Sequence, residues 1–193
     1  MDPILKLVIE VDHAIFHLIN QVLSNPVFDW IMPLFDQPVY WVLPLLVFWI
    51  FLMVKDPENR LKLVILIPLI IILCDQTGGL IKDLGLRQRP WVALDPDLVN
   101  HLGSSGGKTK SFPSNHAANI TGAAVIFSAL YRQYRPVVWA LAVTVMYSRI
   151  YIGVHFLIDV LAGALLGVVY GNLLLFLWDR TNKFRNRNVP DLH

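Results

Sequence analysis

The sequence predicts an all-α integral membrane protein, a bundle of five or six transmembrane helices with an amphipathic interfacial helix at its N-terminus. Of its 193 residues, 55% are hydrophobic and only 16% are Asp, Glu, Lys or Arg, whereas soluble domains carry about a quarter charged residues. The apolar residues come in blocks, most of them close to the roughly 20 residues that cross a bilayer. We therefore expect lipid, rather than water, to be the main solvent of this chain.

The first 24 residues predict the amphipathic helix. Polar residues recur three or four positions apart from Lys6 onwards, and apolar residues cover the rest of the helix surface. Such a helix can lie in the plane of the membrane interface. The alternative is a spanning helix whose polar stripe faces the bundle. We favour the interfacial placement because Glu10 and His13 would otherwise lie near the middle of the membrane. No basic start and cleavage site precede it, so we expect no cleaved signal peptide.

Five apolar blocks predict the spans. The first is slightly short and is expected to begin a few residues earlier than its apolar core. In the last block, Gly163, Gly167 and Gly171 recur every four residues, which predicts close packing against another helix. The blocks cover residues 39–54, 61–81, 115–131, 136–152 and 155–178.

Basic residues predict the orientation of these spans. Lys and Arg occur in the loop 55–62, in the turn 132–135 and in the polar tail 179–193. With five spans these three places share one side, which the positive-inside rule makes cytoplasmic. The polar segment 82–113 then lies outside, and its own basic residues need a separate explanation. We expect the whole chain to form a single domain.

Charge and cysteine content exclude some functions. The formal net charge of +2 gives no argument for nucleic acid as a partner. The one cysteine, Cys74, lies inside an apolar block and has no second cysteine with which to form a disulfide. We expect the partners of this chain to be membrane lipids.

Three polar clusters are predicted at the outer ends of the spans, on the same face of the membrane. Each cluster combines cationic or hydroxyl residues with residues suited to acid–base chemistry. They are Lys82 and Arg89 in KDLGLRQRP, Ser114, Asn115 and His116 in SFPSNHAAN, and Ser148, Arg149, His155 and Asp159 in SRIYIGVHFLID.

The third cluster predicts a nucleophile. His155 and Asp159 are four residues apart at the start of a predicted helix, so they are expected to share one helix face. Asp159 can accept the Nδ1 proton of His155, which leaves Nε2 as a bare lone pair. Gly153 is expected to let the chain reverse tightly between Arg149 and His155.

The other clusters predict a site for a phosphoryl group. Ser114 is expected to cap a helix whose first N–H groups point at an anion. His116, in the first turn, is placed to donate a proton to a leaving oxygen. Three cations, Lys82, Arg89 and Arg149, match three phosphoryl oxygens, and phosphoryl transfer depends mainly on positioning and charge neutralisation.

These strings resemble the type 2 phosphatidic acid phosphatase (PAP2) superfamily. The family pattern is Lys, six residues, Arg-Pro; then Pro-Ser-Gly-His; then Ser-Arg, five residues, His, three residues, Asp. The resemblance covers about residues 61–178 and keeps all three motifs in order with the correct internal spacings. One position departs, because Asn115 stands where the family has Gly.

The resemblance implies a role for each motif residue. The nucleophile attacks phosphorus, a second histidine protonates the leaving group and then activates water, and the remaining residues hold the phosphate. It also implies that no metal or other cofactor is needed, and the sequence has no outer carboxylate cluster suited to Mg²⁺. The residues are His155 as nucleophile, Asp159 as its orienting partner, His116 as acid and base, and Lys82, Arg89, Ser114 and Arg149 for the phosphate, with the backbone N–H of Asn115 assisting.

The expected function is hydrolysis of a lipid phosphate or diphosphate in a bacterial cytoplasmic (inner) membrane, with the site facing the periplasm. Candidate substrates are lipid A 1-phosphate, undecaprenyl diphosphate, phosphatidylglycerol phosphate and phosphatidic acid. The sequence does not choose among them, and we expect the loop 91–110 to carry selectivity. Two alternatives remain: a lipid phosphotransferase, and an anion or lipid transporter that uses the same basic cluster.

Several polar residues stay open to two interpretations. Asp75 lies two helical turns before Lys82 and either supports the site or forms hydrogen bonds within the bundle. Arg87, Lys108 and Lys110 either contact a second anionic group or belong to a solvated loop, and we favour the loop.

Overall fold

The computed structural model describes residues 2–104 and 109–187, and within these ranges the chain is helical apart from turns, loops and one isolated β-bridge between Gln88 and Lys110. The fold is therefore all-α, as predicted. The α-helices in the described ranges are α1 (Pro3–His17), α2 (Pro26–Ile31), α3 (Pro38–Lys55), α4 (Arg60–Asp83), α5 (Pro90–Ala93), α6 (Asn115–Leu130), α7 (Arg135–Tyr151) and α8 (Leu157–Arg187).

Side chains cap the starts of α1 and α2. The carboxylate of Asp2 accepts a hydrogen bond from the N–H of Ile4 at 2.8 Å, and proline follows as the first residue of α1. The side chain of Asn25 caps α2 in the same way, again with proline next. Such a cap satisfies an N–H group that has no partner within the helix, and proline at the first helical position loses no hydrogen bond.

Two helices are long and apolar enough to cross a membrane, α4 and the part of α8 from Leu157 to Lys183. A third span forms if Pro26–Phe35 and Val39–Lys55 are taken together, with a bend of 58° between them. Helices α6 and α7 contain 16 and 17 residues, so they extend about 25 Å, slightly less than a hydrocarbon core of about 30 Å. The total of five or six spans stays a prediction, although all five predicted blocks form helices.

Helix α6 lies at the centre of the bundle and packs against α8, α7 and α4. The predicted glycine stripe explains its close contact with α8. A β-carbon added to Gly163 would lie 2.2 Å from the carbonyl oxygen of Ser114, and one added to Gly167 would lie 2.2 Å from that of Ala118. The prediction of close packing is confirmed, and it brings the first turns of α6 and α8 together.

The N-terminal segment packs against the protein through two buried polar residues. Asp12 and Asn20 are buried, and the Oδ1 atom of Asp12 accepts a hydrogen bond at 2.9 Å from the N–H of Ile158 at the start of α8. Apolar residues of the same helix, such as Leu7 and Val11, are exposed. Most of the predicted polar stripe, including Lys6, Glu10 and His17, is exposed, so the stripe as a whole does not face the bundle. The interfacial placement of the helix stays a prediction.

Helical structure extends into two segments that the sequence prediction left without it. The segment 179–193 was predicted to be a polar tail, but α8 continues to Arg187 without interruption because no proline or glycine ends it earlier. Residues 188–193 lie outside the described residues. The predicted selectivity loop contains α5 and a 3₁₀ turn at Pro96–Leu98, and its residues 105–108, which include Lys108, also lie outside the described residues.

Candidate active site

The three predicted clusters meet at one end of the bundle. Helices α4 and α7 end there, whereas α6 and α8 begin there. A pocket of about 600 Å³ opens between them. The predicted site residues that line it are Lys82, Arg89, Asn115, His116 and His155, and the other lining residues are Asp75, Gly79, Asp83, Thr109 and Lys110.

His155 lies in a turn and not in a helix, which corrects the prediction. Helix α8 begins at Leu157, and the N–H groups of Val154 and His155 both donate to the carbonyl oxygen of Arg149 at 3.2 Å. Gly153 has a φ of +77°, in the left-handed region that favours glycine. A β-carbon there would also approach Asn100 O to 2.9 Å. The predicted tight reversal at Gly153 is therefore present.

The pairing of His155 with Asp159 has a different cause from the one expected. The Oδ2 atom of Asp159 accepts the N–H of Phe156 at 2.9 Å, as an acid in the first helical turn does in a capping box. The same oxygen lies 3.6 Å from Nδ1 of His155. The Nδ1–H can thus point at the carboxylate, with Nε2 left as the lone pair.

Burial sets the protonation state of His155. Its side chain is 3% exposed. Desolvation lowers the pKa of His155 to about 4, against the opposing effect of Asp159. The ring is therefore neutral near pH 7, the form in which an imidazole nitrogen attacks an electrophile.

Arg87 joins this site, contrary to the expectation that it lies in a solvated loop. Its guanidinium forms an ion pair with Asp12 of α1, and its NH1 group lies 3.5 Å from Oδ1 of Asp159. The guanidinium carbon also lies 3.9 Å from the centre of the Phe156 ring. Arg87 therefore links the N-terminal helix to the carboxylate that faces His155. Sequence reasoning missed Asp12, because the helix carries several other polar residues and no spacing in the sequence sets this acid apart.

Asn115 contributes its side chain, which the family glycine lacks. Its Oδ1 atom accepts a hydrogen bond from Nζ of Lys82, which also donates to Pro113 O. Its Nδ2 group donates to Oδ1 of Asp75 at 3.1 Å. The sequence left open whether Asp75 belongs to the site or forms hydrogen bonds within the bundle. In the structure it lines the pocket and also forms these hydrogen bonds.

Arg89 has one donor that is paired and one that has no acceptor among the described residues. Its NH1 group donates to Val154 O at 3.3 Å, while its buried Nε–H finds no acceptor among the described residues. Burial lowers the pKa of Arg89, but a guanidinium stays charged at any pH at which proteins fold. Arg89 lines the pocket, and its guanidinium charge is suited to an anionic ligand.

Arg149 and Ser114 lie behind the pocket wall. Arg149 is fully buried and donates through NH1 to Oδ1 of Asp36 at 2.8 Å, and through Nε and NH2 to the hydroxyl of Ser148. Ser114 is also buried, and its hydroxyl accepts the N–H of Ala117 at 3.5 Å, which confirms that it caps α6. Neither residue lines the pocket surface.

Asp36 is a residue that sequence reasoning did not find. It precedes α3, and its Oδ2 atom accepts hydrogen bonds from the N–H and the hydroxyl of Ser104 at 2.8 and 2.9 Å. Its other oxygen holds Arg149. Asp36 therefore fixes both the buried guanidinium and the loop that follows α5. Because 113 residues separate Asp36 from Arg149, no spacing in the sequence indicates the pair.

Known proteins resemble this chain in sequence and in fold. Two relatives are lipid A 4′-phosphatases. The one from Porphyromonas gingivalis is 30% identical over 187 residues, 92% of this chain and 78% of the relative. The one from Bacteroides thetaiotaomicron is 31% identical over 177 residues, 87% of this chain and 77% of the relative.

Two solved structures have a similar fold. The crystal structure of Aquifex aeolicus LpxE superposes with a TM-score of 0.71 at 28% identity and covers 84% of this chain and 93% of that one. The PAP2-type phosphatidylglycerolphosphate phosphatase of Bacillus subtilis has a TM-score of 0.63 at 22% identity over 96% of this chain and 89% of its own, and this likeness is one of fold. The model of the PAP2 superfamily matches residues 61–183, and the chain therefore belongs to that superfamily.

Proposed function

We propose that this protein is a membrane lipid phosphatase that hydrolyses the phosphate of a lipid head group through a phospho-histidine intermediate on His155. One observation carries the proposal: His116 and His155 line the same pocket as Lys82 and Arg89. Two imidazoles beside two cations provide a nucleophile, an acid and neutralising charge for one phosphoryl group.

The comparisons support the lipid phosphatase and favour one substrate class. Both relatives named above are lipid A 4′-phosphatases, and they match about nine-tenths of this chain. Among the four candidates, a lipid A phosphate therefore has the strongest support. The relatives favour the 4′-phosphate over the 1-phosphate that the sequence prediction named.

In the first step, the Nε2 lone pair of neutral His155 attacks phosphorus. An N–P bond forms, and the P–O bond to the lipid breaks. The bound anionic phosphate favours the protonated form of His116, which gives its proton to the departing lipid oxygen. Asp159 stabilises the positive charge that develops on the His155 ring through the Nδ1–H, at a distance of 3.6 Å.

In the second step, a water oxygen attacks phosphorus and the N–P bond breaks. His116, now neutral, takes a proton from that water. Inorganic phosphate leaves, and both histidines return to their starting states. Lys82 and Arg89 neutralise phosphoryl oxygens in both steps, and Arg149 adds a fixed positive charge from behind the wall, within electrostatic range of His116. The same three cations supply the charge for which other phosphatases use a metal.

We place the site on the periplasmic side of the bacterial inner membrane. The pocket opens at one end of the bundle, where α4 ends and α6 begins. The basic residues of the loop 55–62 and of the turn before α7 lie at the other end, which the positive-inside rule makes cytoplasmic. A mouth at head-group level suits a lipid whose tails remain in the bilayer.

A phosphate-release panel tests this function. We expect the purified protein to release inorganic phosphate from lipid A, with slower release from phosphatidic acid, phosphatidylglycerol phosphate and undecaprenyl diphosphate. An excess of chelator should change the rate by less than about two-fold, because fixed cations hold the phosphate. Phosphate should be measured colorimetrically, without any acceptor lipid.

Three results would contradict the proposal. Transfer of phosphate to an added lipid with no free phosphate would identify a phosphotransferase. Binding of the lipids without turnover of any of them would favour a transporter, and loss of activity with chelator that Mg²⁺ restores would identify a metal enzyme.

Arg87 is expected to act as a positioning residue. Replacing it with glutamine (R87Q) removes the cation between Asp12 and Asp159, so His155 loses part of its alignment. We expect kcat to fall about ten-fold, equivalent to about 1.4 kcal/mol, with KM unchanged within about two-fold. The measurement is steady-state kinetics on lipid phosphate in detergent micelles.

The control and a coupled variant make the Arg87 prediction specific. Lys6→Gln removes an exposed cation of α1 and should leave both constants unchanged. Asp12→Asn should resemble R87Q, and the double variant should be no worse than either single one, because both act through one network. A rise in KM alone would instead assign Arg87 to substrate binding.

A further inference from the structure

The pocket extends beyond the phosphate site along one face of α4. Gly79 and Asp75 line it three and seven residues before Lys82, which places them about 5 and 10 Å further along the helix. A volume of about 600 Å³ is in the range of pockets that hold a whole drug-sized molecule. A phosphoryl group alone would leave most of this space unused.

Gly79 keeps this part of the pocket open. Glycine is a poor helix former, so a glycine inside α4 needs a reason. Its neighbour Gly78 has one, since a β-carbon there would lie 2.3 Å from Oδ1 of Asn115. A β-carbon on Gly79 would meet no atom of the described residues within 4 Å. The close packing of the protein therefore does not require glycine at position 79. The effect of this glycine is to leave the space beside α4 open.

Asp75 places a fixed acceptor in the same space. It is exposed to the pocket although α4 is a strongly apolar helix, where a carboxylate is costly. Its Oδ1 atom accepts hydrogen bonds from the side-chain amides of Asn115 and Asn119, at 3.1 and 3.0 Å. No hydrogen bond to its Oδ2 atom is seen among the described residues. The two amides thus hold the carboxylate in place with one oxygen available.

The chemistry of the ligand follows from these groups. A carboxylate oxygen accepts hydrogen bonds from hydroxyl or amide N–H groups and repels a second phosphate. Resting on the function proposed above, we propose that Asp75 and Gly79 form a subsite for a hydroxyl- or amide-bearing head group, the acylated amino sugar that carries the phosphate. This subsite discriminates against lipids whose phosphate is attached to a chain without such donors.

Selective loss of activity tests the subsite. Gly79→Leu fills the space and should lower kcat/KM for an acylated glucosamine phosphate by about 30-fold or more, while kcat/KM for phosphatidic acid changes less than about three-fold. Asp75→Asn turns the carboxylate into an amide and should lower kcat/KM for the sugar phosphate about ten-fold. Because Asp75 also holds Asn115 beside Lys82, this variant tests the size of the effect and Gly79→Leu tests its selectivity. Leu80→Ala, at an exposed neighbouring position outside the pocket, is the control and should change neither value.

A binding measurement completes the test. An acylated glucosamine without phosphate should inhibit the wild-type enzyme competitively, and Gly79→Leu should weaken this inhibition at least ten-fold. Equal losses on both substrates, or no loss on either, would overturn the subsite while leaving the proposed function intact. If the wild-type protein released phosphate from neither lipid, the proposed function itself would fail, and equilibrium binding of the phosphate-free sugar would still report on the subsite.

Discussion

Replacing His155 with alanine is expected to abolish phosphate release, with a loss of at least about 10⁴-fold, because the proposed covalent intermediate forms on the His155 ring. His155 faces the pocket, carries a neutral ring and has its Nδ1 atom 3.6 Å from a buried carboxylate. Its removal leaves the cations and His116 in place, so lipid should still bind with a dissociation constant within about three-fold of the wild-type value. Phosphate release and equilibrium lipid binding measure the two effects separately.

Direct detection of a phosphoryl group bound to His155 tests the proposed intermediate. Rapid quenching of the wild-type enzyme with radiolabelled lipid phosphate should trap label on the protein in a bond that is stable to alkali and labile to acid, as expected for N–P. The His155→Ala protein should trap none. His17→Ala, an exposed histidine of α1, is the matched control and should behave as wild type. Phosphate release above about 1% in the His155→Ala protein would contradict the mechanism.

The helices could be predicted because their signals are local. The predicted block 61–81 corresponds to Arg60–Asp83, and the block 136–152 to Arg135–Tyr151. Apolar length, proline and charged flanks each act within a few residues of a helix end. The glycine stripe of α8 is equally local, since a four-residue period places small residues on one helix face.

The position of His155 shows where local reasoning fails. A spacing of four residues suggested a shared helix face, but the turn that starts at Gly153 continues through Phe156 before α8 begins. Asp159 reaches His155 because its carboxylate accepts the N–H of Phe156 at the start of the helix. The same pair of residues thus meets through capping and not through helix periodicity.

The partners of the motif residues could not be predicted, since they come from distant parts of the chain. Arg87 and Asp12 are 75 residues apart, and Arg149 and Asp36 are 113 apart. Nothing in either local sequence distinguishes these acids from solvated ones. Only the packing of α1 and of the segment before α3 against the bundle brings them to the site.

The second large effect is expected from Asp36. Its replacement by alanine leaves the guanidinium of Arg149, which is 0% exposed, buried without its carboxylate partner. Breaking a buried pair in this way costs about 3–5 kcal/mol, so the melting temperature should fall by on the order of 10 °C. Thermal unfolding in detergent measures this loss. Asp97→Ala, which removes an exposed loop acid, is the control and should change the melting temperature by less than about 2 °C.

A double variant separates the two roles of this ion pair. In Asp36→Ala/Arg149→Met the uncompensated charge is gone and an apolar side chain of similar length fills the space, so most of the lost stability should return. Activity should not return, because the cation behind the phosphate site is missing and its charge contributes to every phosphoryl transfer step. Removing both partners is therefore expected to lower the free energy of unfolding only slightly, whereas removing one partner lowers it strongly. If the double variant were as unstable as Asp36→Ala, the instability would come from the loss of the contacts between Asp36 and Ser104. A Ser104→Ala variant, which removes the hydroxyl bond and keeps the N–H bond, would then reproduce part of it.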